Sequence, residues 1–449
     1  MRLLISLFAF LLSAGVSHAN PNIVFIITDD MGYADISSFG APDLTTPRID
    51  ELARGGVKFT NAYAMGPECT PSRVSYLTGR YPQRVGGLEC AIGTGNVGRY
   101  DDAIRLAAEN DLGLPAEYAV LAPALKNAGY STAIFGKWHL GYEPKFSPLE
   151  QGFDEFVGFL GGNVDYFRHR ELSEIDAYLS GTKPITREGY TTDLIRDDAL
   201  AFIEKQAATP GKPFFLYLPH AAPHFPFQGP DDDDGGLPSE EEWTLGTRET
   251  YIEMMKNLDA SVGAVVDALE EHGMTKNTLI VFTSDHGAMK PGLNSPWRDY
   301  KGTLFDGGIR VPLIAKWPGV LKPGTVSEQV GTLMDLTGSF LNAAGAKLPQ
   351  GLALDGDDLI EHARTGGKDY PRTLFWRSRR DDKTWKAVRH GDWKYLYKVE
   401  GGETEEWLFH LKSDPGEAKS LFAEEKHAKT LDTLKAKLSD WEKKVTPKR

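Results

Sequence analysis

Two short stretches, far apart in the chain, constrain the fold most. Asn22-Ile-Val-Phe-Ile-Ile-Thr28 and Leu279-Ile-Val-Phe-Thr-Ser284 are near-continuous apolar, β-branched runs. That is the pattern of strands buried on both faces of a parallel sheet. Each run ends in potential ligands, Asp29-Asp30 after the first and Asp285-His286 after the second. Open α/β sheets bind ligands beyond the carboxyl ends of their strands, so two such strands side by side would bring four donors together. Either pair alone reads equally well as a solvated turn; the repetition favours a shared cation. The carboxylates favour Ca²⁺ or Mg²⁺, whereas His286 is a softer donor better suited to transition metals; calcium is the expected ion.

Between these strands lies Cys69-Thr-Pro-Ser-Arg73, continuing Val-Ser-Tyr-Leu-Thr-Gly-Arg80. Thr70 as the cap and Pro71 as the first helical residue predict a helix start here. Cys69 then sits at a positive helix end able to receive an anion, with Arg73 one turn further on. For a lone cysteine the ordinary reading is a buried structural thiol. Cys90 is the one other cysteine in the chain. It is either the disulfide partner of Cys69 or, if Cys69 is otherwise employed, an odd thiol. Ser131-Thr-Ala-Ile-Phe135 predicts a strand running into Gly136-Lys-Trp-His-Leu-Gly141. Lys137 and His139 share a face if that segment is extended, and together they can hold an oxyanion and move a proton. A further buried strand, Phe214–Leu218, is followed by His220 and His224.

Taken in order, four segments resemble the motifs of the formylglycine-dependent sulfatases, arylsulfatase-like members of the alkaline phosphatase superfamily. They are Cys-X-Pro-X-Arg with Leu-Thr-Gly-Arg, Gly-Lys-Trp-His-Leu-Gly, Ala222-Pro-His-Phe-Pro226, and Lys301-Gly-Thr-Leu-Phe-Asp-Gly-Gly-Ile-Arg-Val-Pro312. The resemblance runs from Asn22 almost to the C-terminus. It implies an α/β/α sandwich with a large mixed central sheet, plus a small C-terminal antiparallel sheet with a helix. It further implies that Cys69 is oxidised to Cα-formylglycine by a formylglycine-generating or anaerobic maturation enzyme. Asp29, Asp30, Asp285, His286 and residue 69 would hold the cation, with His286 where asparagine is usual. The implied catalytic residues are Cys69, Arg73, Lys137, His139, His224 and Lys301, of which Lys137, His224 and Lys301 contact the substrate. His220 has no such match and is expected to be structural. Asp306 stands where glutamate is usual.

The implied reaction releases inorganic sulfate from a sulfated small molecule or glycan. One hydroxyl of the aldehyde hydrate attacks sulfur while His224 or Lys301 protonates the departing alcohol; His139 then takes a proton from the second hydroxyl, and sulfate leaves. Hydrolysis of a phosphodiester or phosphonate on the same scaffold is an alternative reading, as is a non-catalytic, glycan-binding relative.

At 449 residues the chain exceeds what one core covers. Residues 1–19 carry Arg2, an apolar run from Leu3 to Leu12, and Ser17-His18-Ala19. This predicts a secretory signal and export to a periplasm or the exterior. The run is too short to span a bilayer, so no membrane anchor is expected after cleavage. A catalytic domain is expected over residues 20–369 and a C-terminal subdomain over 370–449. The formal charge of −13, or −14 once Arg2 is removed, argues against nucleic acid as a partner. An anionic substrate therefore needs a local cationic pocket. Gly86–Ala116 is expected to be a surface excursion near the mouth of that pocket, and Asp231–Asp234 a solvated loop. Arg377, Arg379, Arg380 and Trp385 are expected to reach the pocket from the C-terminal sheet.

Overall fold

Both apolar runs are strands, and they lie side by side. In the computed structural model, which describes residues 20–93, 100–172, 177–232, 238–239 and 241–447, eleven strands make one large sheet. They are β1 (Asn22–Thr28), β2 (Val57–Tyr63), β3 (Ser131–Lys137), β4 (Glu155–Phe159), β5 (Tyr178–Ser180), β6 (Lys183–Pro184), β7 (Phe214–Pro219), β8 (Thr278–Ser284), β9 (Arg310–Lys316), β10 (Thr325–Ser327) and β11 (Gly331–Thr332). The order is β10-β2-β9-β8-β1-β7-β3-β4-β5-β6, with β11 also on β2. The centre is parallel: β1 pairs with β8 from Asn22 opposite Thr278 to Thr28 opposite Ser284, and with β7 on its other side. β9 and the β5–β6 hairpin are antiparallel additions, which makes the sheet mixed. The proposed signal segment and Asp233-Asp234 lie outside the described residues.

Alternate β1 side chains feed two separate cores, as a strand buried on both faces requires. Ile23, Phe25 and Ile27 pack with Val74, Leu125 and Phe340 from the helices Cys69–Thr78, Leu121–Asn127 and Met334–Ala343. Val24 and Ile26 pack with Leu52, Phe202 and Leu258 from the helices Pro47–Gly55, Thr191–Ala207 and Arg248–Glu271. The result is an α/β/α sandwich. Gly86–Ala116 departs from its expected place at the surface. Leu88, Tyr100, Leu106 and Leu114 are buried in the first core, and the helix Asp101–Ala108 lies within the segment. Asp101 and Arg105 of that helix are exposed, while Ala103 and Leu106 face the core.

A second sheet follows, with β12 (Thr373–Arg380), β13 (Lys383–His390), β14 (Trp393–Glu400) and β15 (Glu403–His410) antiparallel in sequence order. The helix Ala428–Lys444 covers it through Leu434, Leu438 and Trp441, in a core that continues into Tyr63, Met65, Leu304 and Phe305 of the first unit. The seam holds a buried charge cluster. Lys394 Nζ lies 2.7 Å from Asp306 Oδ1 and 2.8 Å from Glu417 Oε1, and the Asp306 N–H donates to Glu417 Oε2 over 2.6 Å. Burial raises the Asp306 carboxyl, but Lys394, Arg310 and Arg389 outweigh it and bring the group down to about 2. Glu417 is pushed up to about 7 by burial and by Asp306, against the pull of Lys394.

Glu417 therefore titrates at its ordinary 4.5 when unfolded and at about 7 when folded. A carboxyl raised on folding contributes stability that is complete below the lower value and is lost as the pH rises through the upper one. Wild-type protein is expected to lose stability between about pH 5 and pH 8 relative to Glu417→Gln, which does not titrate there. Urea unfolding of both proteins at the two pH values measures this; parallel shifts in the two midpoints would refute it.

Candidate active site

The register of the central strands builds the site. Asp29 and Asp285 leave β1 and β8 side by side, and the Asp285 N–H donates to Thr28 O over 3.1 Å. On the other flank the Asp29 N–H donates to Ala222 O, beyond β7, over 3.2 Å. Cys69 is the first residue of its helix, which ends at Gly79; this glycine takes φ of 66° and returns its N–H to Ser75 O. Thr70 is not the cap. Glu68, in extended conformation, holds that position and Pro71 is the third helical residue. The Thr70 hydroxyl instead donates to His139 O over 3.0 Å and accepts from the Ile92 N–H, tying the helix to two neighbouring loops.

The Cys69 sulfur is the meeting point. His286 Nε2 is 3.3 Å from it, Asp29 Oδ1 3.3 Å, Lys137 Nζ 3.4 Å and Lys301 Nζ 3.9 Å. Both cysteines are free thiols, so no Cys69–Cys90 disulfide forms. Cys90 is buried, and that burial, with the nearby Glu68, pushes its thiol well up. Burial acts the same way on Cys69, yet Lys137, Lys301 and His286 overcome it and bring this thiol well below its ordinary range. Each carboxylate has its own cation. Lys137 hydrogen-bonds Asp29, Lys301 lies 2.8 Å from both oxygens of Asp30, and Arg73 donates over 3.1 Å to Asp285. Arg73 is fully buried and spends its other amino group on Lys137 O at 3.0 Å. It therefore braces the carboxylates from behind.

These donors could together hold a metal ion. The ligand atoms of Asp29, Cys69, Asp285 and His286 all lie within 4.8 Å of one another, and so do those of Asp29, Asp30, Cys69 and His224. The local field favours positive charge. Burial would lower the His286 imidazole, but Asp285, Cys69 and Asp30 raise it to about 10. Asp285 is pushed up to about 7 by its burial and by the negative charges of Asp29 and Cys69. His286 Nδ1–H donates to Gly287 O over 2.9 Å, which aims Nε2 at Asp30 and Asp285.

Lys137 and His139 both reach residue 69, but not by strand alternation. β3 ends at Lys137, and His139 takes φ of 61°, a left-handed conformation uncommon outside glycine. Its Nε2–H donates to Ile92 O over 2.5 Å, leaving Nδ1 as the lone-pair nitrogen. Burial and Lys137 bring this ring down to about 4, so it is neutral near pH 7. His224 has the opposite tautomer: Nδ1–H donates to Phe225 O over 2.7 Å and Nε2 lies 3.1 Å from Lys301 Nζ. His220 is buried, is pushed down to about 3 by that burial, and does not line the cavity.

Above residue 69 lies a cavity of about 650 Å³ whose wall includes Tyr142, Asn163, Phe225, Trp243 and Arg380. Ala91, Ile92 and Gly93 supply part of its rim, so the Gly86–Ala116 segment does shape the mouth. Of the C-terminal residues expected there, Arg380 lines this cavity and Trp385 a neighbouring one. Arg377 and Arg379 do not. Both turn to the buried Glu89, at 2.7 and 2.8 Å, because a carboxylate without water needs paired cations. Sequence reasoning missed Glu68, Glu89 and Gly162. A Cβ on Gly162 would come within 2.8 Å of the His139 ring, so only glycine leaves room for it.

A buried cationic cradle beside three carboxylates, at the carboxyl ends of a mixed sheet, defines a hydrolase for small oxyanion esters. The chain belongs to the sulfatase family. The family model described as Sulfatase matches residues 21–346, and one described as N-sulphoglucosamine sulphohydrolase, C-terminal, matches residues 296–444. N-acetylgalactosamine-6-sulfatase of Canis lupus familiaris is 34% identical over 450 residues, covering 95% of this chain and 82% of that protein. Arylsulfatase A of Bos taurus is 32% identical, covering 91% and 85%. The crystal structure of Ps i-CgsB matches with a TM-score of 0.82 at 30% identity, over 94% of this chain and 93% of that one. This protein is thus a sulfuric ester hydrolase.

Arg73 makes two directed bonds that a lysine ammonium cannot reproduce. Arg73→Lys is expected to weaken divalent-cation binding about 10–100-fold, as loss of a ligand's supporting partner does. Calorimetric titration with Ca²⁺ checks this, and an unchanged affinity would show that Arg73 does not support the ligands.

Proposed function

We propose that this sulfatase acts on sulfated carbohydrate, using a formylglycine made from Cys69 and a calcium ion held by Asp29, Asp30, Asp285 and His286. The observation that carries this reading is the surroundings of residue 69. Two ammonium groups, an imidazole and a carboxylate stand within 3.9 Å of its side chain, far more than a structural thiol needs. A hydrated formylglycine at position 69 would supply two hydroxyls on one carbon; a serine or a thiol lacks the second. A bound calcium ion neutralises the clustered carboxylates and polarises the oxygens it touches.

The chain's own residues supply the rest. Lys137 and Lys301 offer fixed positive charge to the sulfate oxygens as charge develops on them. His224 and Lys301, already in contact, hold a proton for the leaving alcohol oxygen. His139, neutral and with its side chain directed at residue 69, would accept the proton of a hydroxyl there. The aromatic wall of Tyr142, Phe225 and Trp243 offers apolar surface to a sugar ring. Ps i-CgsB has been solved in complex with k-i-k-neocarrahexaose, and that chain is 31% identical to this one. No helix among the described residues is long and apolar enough to cross a membrane. With the apolar leader over residues 1–19, this supports an exported enzyme.

Mass spectrometry of the tryptic peptide ending at Arg73, from protein co-expressed with a maturation enzyme, is expected to show an aldehyde in place of the thiol. That protein is expected to turn over an aryl sulfate faster than a phosphodiester. An unmodified thiol in active enzyme would sink the mechanism, and a preference for the phosphodiester would sink the substrate class. Lys301→Met is expected to lower kcat about 10²–10³-fold, the usual effect of deleting one preorganised electrostatic donor. A loss confined to KM would place Lys301 in binding alone.

A further inference from the structure

The backbone and the ring of His139 are held by different neighbours. The His139 N–H donates to Leu160 O, just beyond β4, over 3.0 Å, and the His139 carbonyl accepts from the Thr70 hydroxyl over 3.0 Å. The ring is oriented by Ile92 O, which accepts from Nε2–H over 2.5 Å. An imidazole held at one nitrogen follows its acceptor, so whatever fixes Ile92 also fixes which nitrogen is turned to residue 69.

Residues 88–93 form no helix or strand, so their backbone groups have no ladder to satisfy them. Side chains take that place. The Ala91 N–H donates to Glu68 Oε2 over 2.8 Å, and Ala91 O accepts from the Arg380 guanidinium over 3.3 Å. The Ile92 N–H donates to the Thr70 hydroxyl over 3.3 Å, and Ile92 O receives His139. Two of these four holders are joined to each other. Arg380, the last residue of β12, grips Glu68 at 2.5 and 3.2 Å. Glu68 is 6% exposed and needs this cation, because a carboxylate out of water is costly when left alone. Arg377 and Arg379 of the same strand hold Glu89, so β12 clamps the segment at two points. Arg380 also lines the cavity over residue 69, yet its guanidinium is committed to Glu68 and Ala91.

We propose that Arg380 and Glu68 are positioning residues for His139: their ion pair holds Ala91 and Ile92, and Ile92 O holds the ring with Nδ1 toward residue 69. The C-terminal sheet thereby orients the proton acceptor of a site built on the large sheet. This rests on the reading of His139 as that acceptor. The planar fork of Arg380 is what spans Glu68 and Ala91 O together, and a side chain of the same length without it leaves both free.

The test is a double-mutant cycle on matured enzyme, with rates for 4-nitrophenyl sulfate expressed per aldehyde found by mass spectrometry. Arg380→Met keeps an unbranched stem and removes the guanidinium. It is expected to lower kcat about tenfold, the scale of a small misplacement of a reacting group, while KM stays within about twofold. In a His139→Ala background the same substitution is expected to change kcat by less than about twofold, because the ring it acts through is gone. Glu68→Gln, which keeps the shape of the side chain and discharges it, is expected to behave as Arg380→Met does in both backgrounds. Losses that multiply overturn the proposal, and so does a loss carried by KM, which would put Arg380 on the substrate. Where His139→Ala turns over too slowly to be read, ring ¹⁵N resonances of histidine-labelled thiol protein decide. His139 is expected as the Nε2–H tautomer in wild type and as a mixture in Arg380→Met; identical spectra overturn the proposal. A His139→Ala enzyme as fast as wild type overturns the underlying reading of His139 instead.

Discussion

Three carboxylates taken out of water at the ends of two adjacent strands are the constraint that organises this molecule. Asp29, Asp30 and Asp285 are at most 2% exposed. Each is held by a different cation, Lys137, Lys301 or Arg73, drawn from β3, the loop before β9, and the helix that begins at Cys69. Buried pairs of this kind add little net stability, because desolvation cancels most of the attraction. The two apolar cores on either side of the sheet stabilise the fold, and the charge cluster is carried at their expense. What the cluster provides is a set of dipoles and charges fixed before any substrate arrives, which is where most electrostatic catalysis originates.

The parts of this arrangement that follow a period or a motif were legible in the sequence. The apolar runs of β1 and β8 announced a doubly buried parallel pair, and their acidic ends announced the site. What the sequence could not display is backbone conformation at single residues. Side chains alternate along a strand, so consecutive Asp29 and Asp30 should point to opposite faces. Asp30 takes φ of 62°, and with this turn its carboxylate joins that of Asp29 beside Cys69. His139 does the same at the end of β3 with φ of 61°. Non-glycine residues in this region are costly, and they persist where the surrounding contacts over-determine them. The buried acids were hidden for another reason. Glu89 meets Arg377 across 288 positions of sequence, and no local pattern encodes such a partner.

Three histidines show how backbone carbonyls assign chemistry. A carbonyl only accepts, so the ring nitrogen facing it must carry a proton. Ile92 O fixes the Nε2 proton of His139, while Phe225 O and Gly287 O fix Nδ1 protons on His224 and His286. The nitrogen left facing the site is thereby Nδ1 in one case and Nε2 in the other two. Identical side chains are differentiated by the loops behind them, so loop geometry decides which ring nitrogen each presents to the site.

The same logic joins the second sheet to the chemistry. Lys301 rides on a loop whose own regular structure is one short turn, Asp306–Ile309. Its N–H donates to Ala288 O over 3.0 Å and the next N–H donates to Pro67 O over 2.9 Å, anchoring the loop both beyond the end of β8 and just before the helix that begins at Cys69. Its far side is anchored by the C-terminal unit: Arg298 donates to Glu417 O over 2.9 Å, and Glu417 Oε2 accepts from the Asp306 N–H. Lys394 from β14 bridges Asp306 and Glu417. Docking of the small sheet and placement of the Lys301 ammonium are therefore one set of contacts. A chain that folded its large sheet but failed to seat β14 would retain its carboxylates and residue 69 while losing the fixed position of the cation that faces them.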